Sequence, residues 1–281
     1  MKKLGWLIVN AGQAIFLGVW TAFWISAALL VLAVTFRRDL PLIMARTCWA
    51  PGILWGAGAK VQVEGGEGID WSRPHIFLMN HQSAIDIPVA FLVLKTPLRF
   101  IAKRILARVP FLGWYMWATG MIFVEREKST KAVASLQHAG ERIRAGASIL
   151  AYPEGTRSRN SRILPFKKGT FVVAIEAQVP VVPVAISGAD QVLSSTGFRV
   201  RPGTIRVKIG DPIPTAGLKR YHREALLKQV HDEVIDMHLA IGGPGGDRHA
   251  AVAARGKLGV PAPESEQLAD ETEPPVRQRS A

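Results

Sequence analysis

One cysteine, Cys48, stands in 281 residues, so no intramolecular disulfide can form and no Cys-rich zinc site can be built. Nothing in that count asks for an oxidising compartment, and the working part of the chain is expected in the cytoplasm. Acidic residues are also short. The 22 Asp and Glu set against 35 Lys and Arg leave a net charge of +13, which calls for an anionic partner. Nucleic acid, a phospholipid surface and a phosphorylated small molecule all share the required sign. A mean hydropathy of +0.17 is unusual for a nucleic-acid binder, and a zinc finger, an RNA-recognition signature and an aromatic-interleaved basic strip are all missing. Nucleic acid is therefore not expected as a partner, and a lipid surface gains.

Charge is absent altogether from Leu4 to Phe36, a run of 33 residues that includes Phe16, Trp20, Phe23 and Trp24. A bilayer span needs roughly 20 apolar residues, whereas a cleaved signal peptide carries an apolar region of about 7 to 15, so the run reads as a membrane-binding helix. Arg37 and Arg38 interrupt it. A second, less apolar stretch then runs from Leu40 to Ala59 with Arg46 inside. Basic residues flank both ends of the first run, so charge does not orient it. The two stretches fit either a spanning helix followed by an interfacial one or a hairpin dipping into one leaflet.

Beyond Lys60 short β-branched and apolar runs alternate with amphipathic stretches, the pattern of an α/β domain with a mixed central sheet flanked by helices. Strands are expected near residues 75–79, 98–102, 121–125, 148–152, 181–186 and 204–209, and helices over 85–94, 129–144, 168–178 and 218–239. From Gly242 the chain is rich in Gly, Pro and charge and nearly empty of large apolar residues, so it cannot bury enough surface to offset the entropy of ordering. Three segments follow: a membrane-anchoring part over 1–59, an α/β domain over 60–241 and a disordered tail over 242–281.

The segment His75-Ile-Phe-Leu-Met-Asn-His-Gln-Ser-Ala-Ile-Asp86 places His81 and Asp86 after a strand and before a helix, where α/β proteins carry functional loops. On one continuous helix two residues five apart would point about 140° from each other. They meet only if His81 lies in the turn and Asp86 in the first helical turn. Ser83 followed three residues later by Asp86 also reads as a variant capping box, a structural role compatible with a chemical one. In the chemical role Asp86 accepts a hydrogen bond from one imidazole nitrogen and leaves the other to remove a proton. Arg126 and Arg157 each follow a strand, and guanidinium suits bidentate phosphate binding. The Pro-x-Gly of Pro153-Glu154-Gly155 is ordinary turn chemistry on its own.

Taken in order, NHQSAID, GMIFVER, YPEGTRS and VPVVPVAI resemble the four sequence blocks of the glycerolipid acyltransferase family, the 1-acyl-sn-glycerol-3-phosphate acyltransferases above all. The likeness runs from about Pro74 to Ser187, and the apolar start resembles the family's membrane-binding helices. It implies that His81 and Asp86 are the catalytic His-x4-Asp pair, that Arg126 holds the acceptor's phosphate, and that Glu154, Gly155, Thr156 and Arg157 contribute to the acceptor site. Lys103 resembles a lysine placed near that phosphate by a looser motif, and Lys167 and Lys168 would add electrostatic support. Tyr152 stands where Phe is common, a swap expected to leave activity unaffected.

The reaction implied is direct transfer from an acyl thioester, acyl-CoA or acyl carrier protein, to the sn-2 hydroxyl of 1-acyl-sn-glycerol-3-phosphate. The partners are then an anionic lysophospholipid, the thioester and the bilayer, with the catalytic domain at the cytoplasmic face of the membrane. No cofactor is called for, since a thioester is already activated. No metal is expected, because His75, His138, His222, His231 and His238 lack ligand spacing. Ser83 lacks the Gly-x-Ser-x-Gly setting of a hydrolase nucleophile. The rival readings are another lysolipid acceptor such as lyso-ornithine lipid, a non-catalytic lipid-binding protein, and a hydrolase.

Overall fold

The computed structural model describes residues 2–124 and 140–248. Its first element, α1 (Lys2–Thr35), follows from the charge-free run and is long and apolar enough to cross a membrane over Gly5–Thr35. At 1.5 Å per residue such a helix extends about 50 Å. One side stays open, with Leu7, Ile15, Val19, Leu30 and Val34 exposed, and the other packs. Gly52 and Gly56 permit that approach: a Cβ at either position would run into Trp20 or Phe16. Trp20 Nε1 donates to the Trp49 carbonyl at 3.1 Å and Trp49 Nε1 to Thr21 Oγ1 at 3.1 Å, fixing the docked face.

The second apolar stretch folds back along α1 as a broken, antiparallel helical arm, Gly56 lying against Phe16 and Trp49 against Trp20. It forms α2 (Asp39–Met44), a π-helical turn (Ala45–Trp49) and α3 (Ala50–Gly56), with Pro41 and Pro51 near the starts of the two α-helices. Leu42, Ala50 and Leu54 are buried with Ile25 of α1 in the same apolar cluster as Phe77 and Val184 of the sheet. Packing therefore runs across residue 59 without a break.

Strands β1 (Ala59–Gly65), β2 (Ile76–Met79), β3 (Leu98–Lys103), β4 (Ile122–Val124), β5 (Ser148–Ala151), β6 (Val181–Ser187) and β7 (Gly203–Ile209) form one sheet in the order β1-β7-β6-β2-β5-β3-β4. All pairs are parallel except β6 with β7. The sheet is mixed and flanked by helices, as expected, and β1 is an addition. Its Lys60-Val-Gln-Val-Glu64 alternation carried the signal, but an edge strand exposes most of its residues.

Strand β2 sits at the centre, and its alternating side chains enter two different cores. Phe77 and Met79 join the cluster of the N-terminal helices and α4 (Asp86–Val93), while Ile76 and Leu78 join that of the helices Gly169–Ala177 and Arg223–Ala240. Buried on both faces, β2 reads as the unbroken apolar run Ile-Phe-Leu-Met. The helix expected over 129–144 falls largely outside the described residues, apart from a helical turn at 140–144. Residues 242–248 do not belong to a disordered tail: the Ile163 N–H donates to the Gly245 carbonyl at 2.9 Å, and Arg248 pairs with Asp236. The rest of the expected tail lies outside the described residues.

Candidate active site

The carboxyl ends of β2, β3 and β5 open together, and the loop after β2 is held there by its own side chains. Asn80 Oδ1 accepts the Ile186 N–H at 2.7 Å and Asn80 Nδ2 donates to the Ile186 carbonyl at 3.0 Å, so a side chain continues the pairing with β6 where β2 ends. His81 comes next, and α4 begins five residues on. Within the intervening turn the Asp86 carboxylate accepts the Ser83 N–H at 2.8 Å, but Ser83 Oγ accepts the Ile85 N–H at 3.3 Å rather than that of Asp86 and the helix N-cap falls at Ile85, so only half of the expected capping box forms.

That turn brings Asp86 Oδ2 to 2.7 Å from His81 Nδ1. The same oxygen accepts the Gln82 N–H at 2.7 Å, so three N–H groups converge on one buried carboxylate oxygen. A carboxylate can only accept, which assigns the shared proton to His81 Nδ1 and leaves Nε2 with a free lone pair. The Tyr152 ring stacks on the imidazole at a centroid distance of 3.9 Å and an angle of 16°. Burial, with Asp86 adding to it, pushes the Tyr152 phenol well above its usual range, and its hydroxyl has no partner among the described residues.

Glu154 takes a place the sequence did not indicate. Its Oε1 accepts the His81 N–H at 2.7 Å and its Oε2 accepts the Leu164 N–H at 3.2 Å. The carboxyl is buried and is not part of the cavity wall, so the expectation that it meets the acceptor gives way to one in which it holds the backbone of His81. Burial pushes it up to about 8, against the smaller pull of the two N–H bonds. The Ser158 N–H donates to the His81 carbonyl at 2.8 Å, so both backbone groups of His81 are tied to the turn after β5.

Gln82 and His238 were not singled out in the sequence. Gln82 Oε1 accepts the Ala189 N–H at 3.3 Å, while its Nε2 donates to the Ser161 carbonyl at 3.3 Å and lies 3.2 Å from His238 Nε2. Both side chains are fully buried, and burial lowers the His238 imidazole to about 4, so it is neutral and accepts from the amide. No local pattern links residues 82 and 238; only the fold joins them.

His81 faces a cavity of about 490 Å³. One wall is apolar and comes from Trp24, Ile25 and Ala28 of α1, Met44 and Trp49, Phe91 of α4, and Leu112, Tyr115 and Met116 of α5 (Leu112–Ala118). The polar end carries His81, Lys103, Gly155, Thr156 and Arg157. Lys103 and Arg157, more than fifty residues apart, thus reach the same cavity as His81. Arg126 lies outside the described residues. Gly155 has φ +76°, a conformation costly for any residue with a side chain, so the turn that presents Thr156 and Arg157 favours glycine.

An imidazole held in one tautomer beside a largely apolar cavity that Lys103 and Arg157 also line fits the class of enzyme that acts on an amphiphile with an anionic group. The comparisons are consistent with that class. A family model described as Acyltransferase matches residues 60–187. Over 175 residues the chain is 35% identical to human 1-acyl-sn-glycerol-3-phosphate acyltransferase beta, covering 62% of this chain and 63% of that protein. Over 207 residues it is 31% identical to the alpha form of Ovis aries, 72% of each chain, and over 188 residues 34% identical to the Saccharomyces cerevisiae enzyme of the same name, 66% of this chain and 62% of that one. The solved structure of the 1-acyl-sn-glycerophosphate (LPA) acyltransferase PlsC from Thermotoga maritima is similar with a TM-score of 0.69 and 27% identity, covering 83% of this chain and 98% of that one. The chain belongs to the 1-acyl-sn-glycerol-3-phosphate acyltransferase family.

Proposed function

We propose that the protein transfers a fatty acyl group from acyl-CoA or acyl carrier protein to the sn-2 hydroxyl of 1-acyl-sn-glycerol-3-phosphate, forming phosphatidic acid for phospholipid synthesis. The observation that carries this is the His81–Asp86 pair at the polar end of an apolar cavity that also contains Lys103 and Arg157. His81 Nε2 removes the proton of the sn-2 hydroxyl as its oxygen attacks the thioester carbonyl. Asp86 keeps the imidazole oriented and offsets the positive charge it acquires. Collapse of the tetrahedral intermediate breaks the carbon–sulfur bond, and the thiolate leaves with the proton from His81.

Lys103, Arg157 and Arg126 hold the acceptor's phosphate, Gly155 and Thr156 shape the turn beside it, and the acyl chain lies along the wall of α1, α4 and α5. Glu154 acts through the backbone of His81 as a positioning residue. The chain is membrane-bound, with α1 in the bilayer and the α/β domain at the cytoplasmic face; a lone Cys48 fits a reducing compartment. The test is purified full-length protein in detergent with a panel of lysolipid acceptors and both donor types. Transfer to lysophosphatidate that vanishes in a folded His81→Ala variant supports the reading. Retained transfer in that variant removes the base, and preference for a phosphate-free acceptor removes the clamp.

A further inference from the structure

The membrane reading above needs only α1, but a second surface has the character of a bilayer contact. Between β3 and β4 the chain forms a 3-10 turn (Arg104–Arg108) and α5. Helix α5 is apolar on two sides: Leu112, Tyr115 and Met116 line the cavity, while Trp114 and Trp117, three residues apart, point out at 58% and 77% exposure. Ile105, Val109 and Phe111 are exposed beside them. Phe111 adopts φ +60°, a costly conformation for a residue with a side chain, and its ring lies 5.2 Å from that of Trp114. A dense exposed aromatic cluster of this kind marks a contact surface.

The charge carried by this stretch of chain has one sign. No Asp or Glu occurs from Ile87 to Val124, while Lys95, Arg99, Lys103, Arg104 and Arg108 do. The cluster is also continuous with the N-terminal helices, because α5 packs against α1 and the Tyr115 hydroxyl donates to the Pro41 carbonyl at 3.2 Å. Indole rings favour the headgroup boundary of a bilayer, and basic residues beside them favour anionic lipid.

We propose that the Ile105–Trp117 surface is a second membrane contact: its exposed apolar side chains insert at the headgroup boundary of an anionic bilayer, with Arg104 and Arg108 on lipid phosphates. The cavity then lies between two lipid-seated walls, α1 and α5, and an acyl chain reaches His81 without crossing water. The inference rests on the reading of α1 as the bilayer-facing helix and assigns a surface which that reading leaves unused.

The test uses the full chain with Cys48→Ala, carrying one spin label at Trp117→Cys, Val19→Cys or Tyr221→Cys, reconstituted into phosphatidylglycerol–phosphatidylethanolamine vesicles. Tyr221 is exposed in the 3-10 turn (Arg220–His222) that precedes the Arg223–Ala240 helix and serves as the aqueous reference. The expected result is that labels at 117 and 19 relax with oxygen and the label at 221 with a water-soluble nickel chelate. A label at 117 as open to nickel as that at 221, with 19 in lipid, overturns the second contact alone. If 19 is also in water, the membrane reading of α1 falls and the proposal falls with it. Immobilisation at 117 that grows with protein concentration in detergent would show a second copy covering the surface and would also overturn it. In a double Trp114→Ser, Trp117→Ser variant, transfer to acceptor embedded in vesicles should fall at least five-fold (order of magnitude for losing two interfacial aromatics) while transfer in detergent micelles holds. Equal losses in both settings count against the proposal.

Discussion

Asp86→Asn separates the charge of the pair from its hydrogen bonds. In the native protein Asp86 Oδ2 accepts from His81 Nδ1, Gln82 N and Ser83 N, all within 2.8 Å, and Oδ1 has no partner. The asparagine carbonyl oxygen can take over all three bonds, so the turn and α4 should survive. Its amide group then occupies the unpartnered position, and a buried donor without an acceptor costs about 1–3 kcal/mol. A few degrees in Tm is the expected stability effect. Catalysis should suffer more, because the imidazolium formed during proton removal loses its counter-charge. Two unit charges about 4 Å apart at an effective dielectric near 20 interact by about 4 kcal/mol, which corresponds to about a thousand-fold in kcat. The acceptor's KM should barely change, since the carboxylate lies behind the imidazole and outside the cavity wall. The assay is steady-state transfer in detergent with circular dichroism on the same sample. A folded variant with kcat within ten-fold of the parent would refute both the base role of His81 and the electrostatic role of Asp86.

Glu154 makes stability depend on pH. Burial raises its folded-state value to about 8, whereas an unfolded glutamate ionises near about 4.3. Between these values the folded protein holds a proton that the unfolded chain has released. Its contribution is full below the unfolded value and is lost as pH rises through the folded one, at about 1.4 kcal/mol per pH unit for one proton. Denaturation midpoints across that window should fall more steeply for the parent than for Glu154→Gln, and parallel curves would remove the assignment. Gly155→Ala should cost about 1–2 kcal/mol for a left-handed residue and raise the acceptor's KM as Thr156 and Arg157 shift; unchanged KM and Tm would show that the turn tolerates a Cβ. His238→Leu strips the acceptor from the Gln82 amide, so kcat should drop with little change in KM, and His238→Gln, which restores an acceptor, should recover most of it. Equal activity of the two variants would separate His238 from the site.

The catalytic turn was legible because its determinants are local. An apolar strand, a histidine in the turn and an acid in the first helical turn fall within eleven residues, and the spacing of His81 and Asp86 admits contact in only one local conformation. The length of α1 follows from the absence of charge over Leu4 to Phe36 in the same way. Arg157 could be named because it follows a strand, and parallel strands deliver their carboxyl ends to one edge, whereas Lys103 was indicated by the family resemblance alone.

What the tertiary structure alone decided depends on contacts between distant residues. Glu154 lies 73 positions from the His81 backbone it holds, and His238 lies 156 positions from Gln82; neither pairing leaves a period or spacing in the chain. The stretch after α1 is apolar enough for a membrane interface, yet one face of it is buried against the sheet and Gly52 and Gly56 let α1 pack closely on it, while Trp55 stays exposed. Residues 242–248 lack the composition of a folded segment and are held by backbone bonding at Gly245 and an ion pair at Arg248, which hydropathy does not register. The sequence determined the reacting pair and the architecture around it, since both arise from local periodicity and local geometry. The cavity, the wall that α1 and α5 build and the buried supports behind His81 came from packing, where residues far apart in the chain satisfy one another's apolar surface and hydrogen bonds.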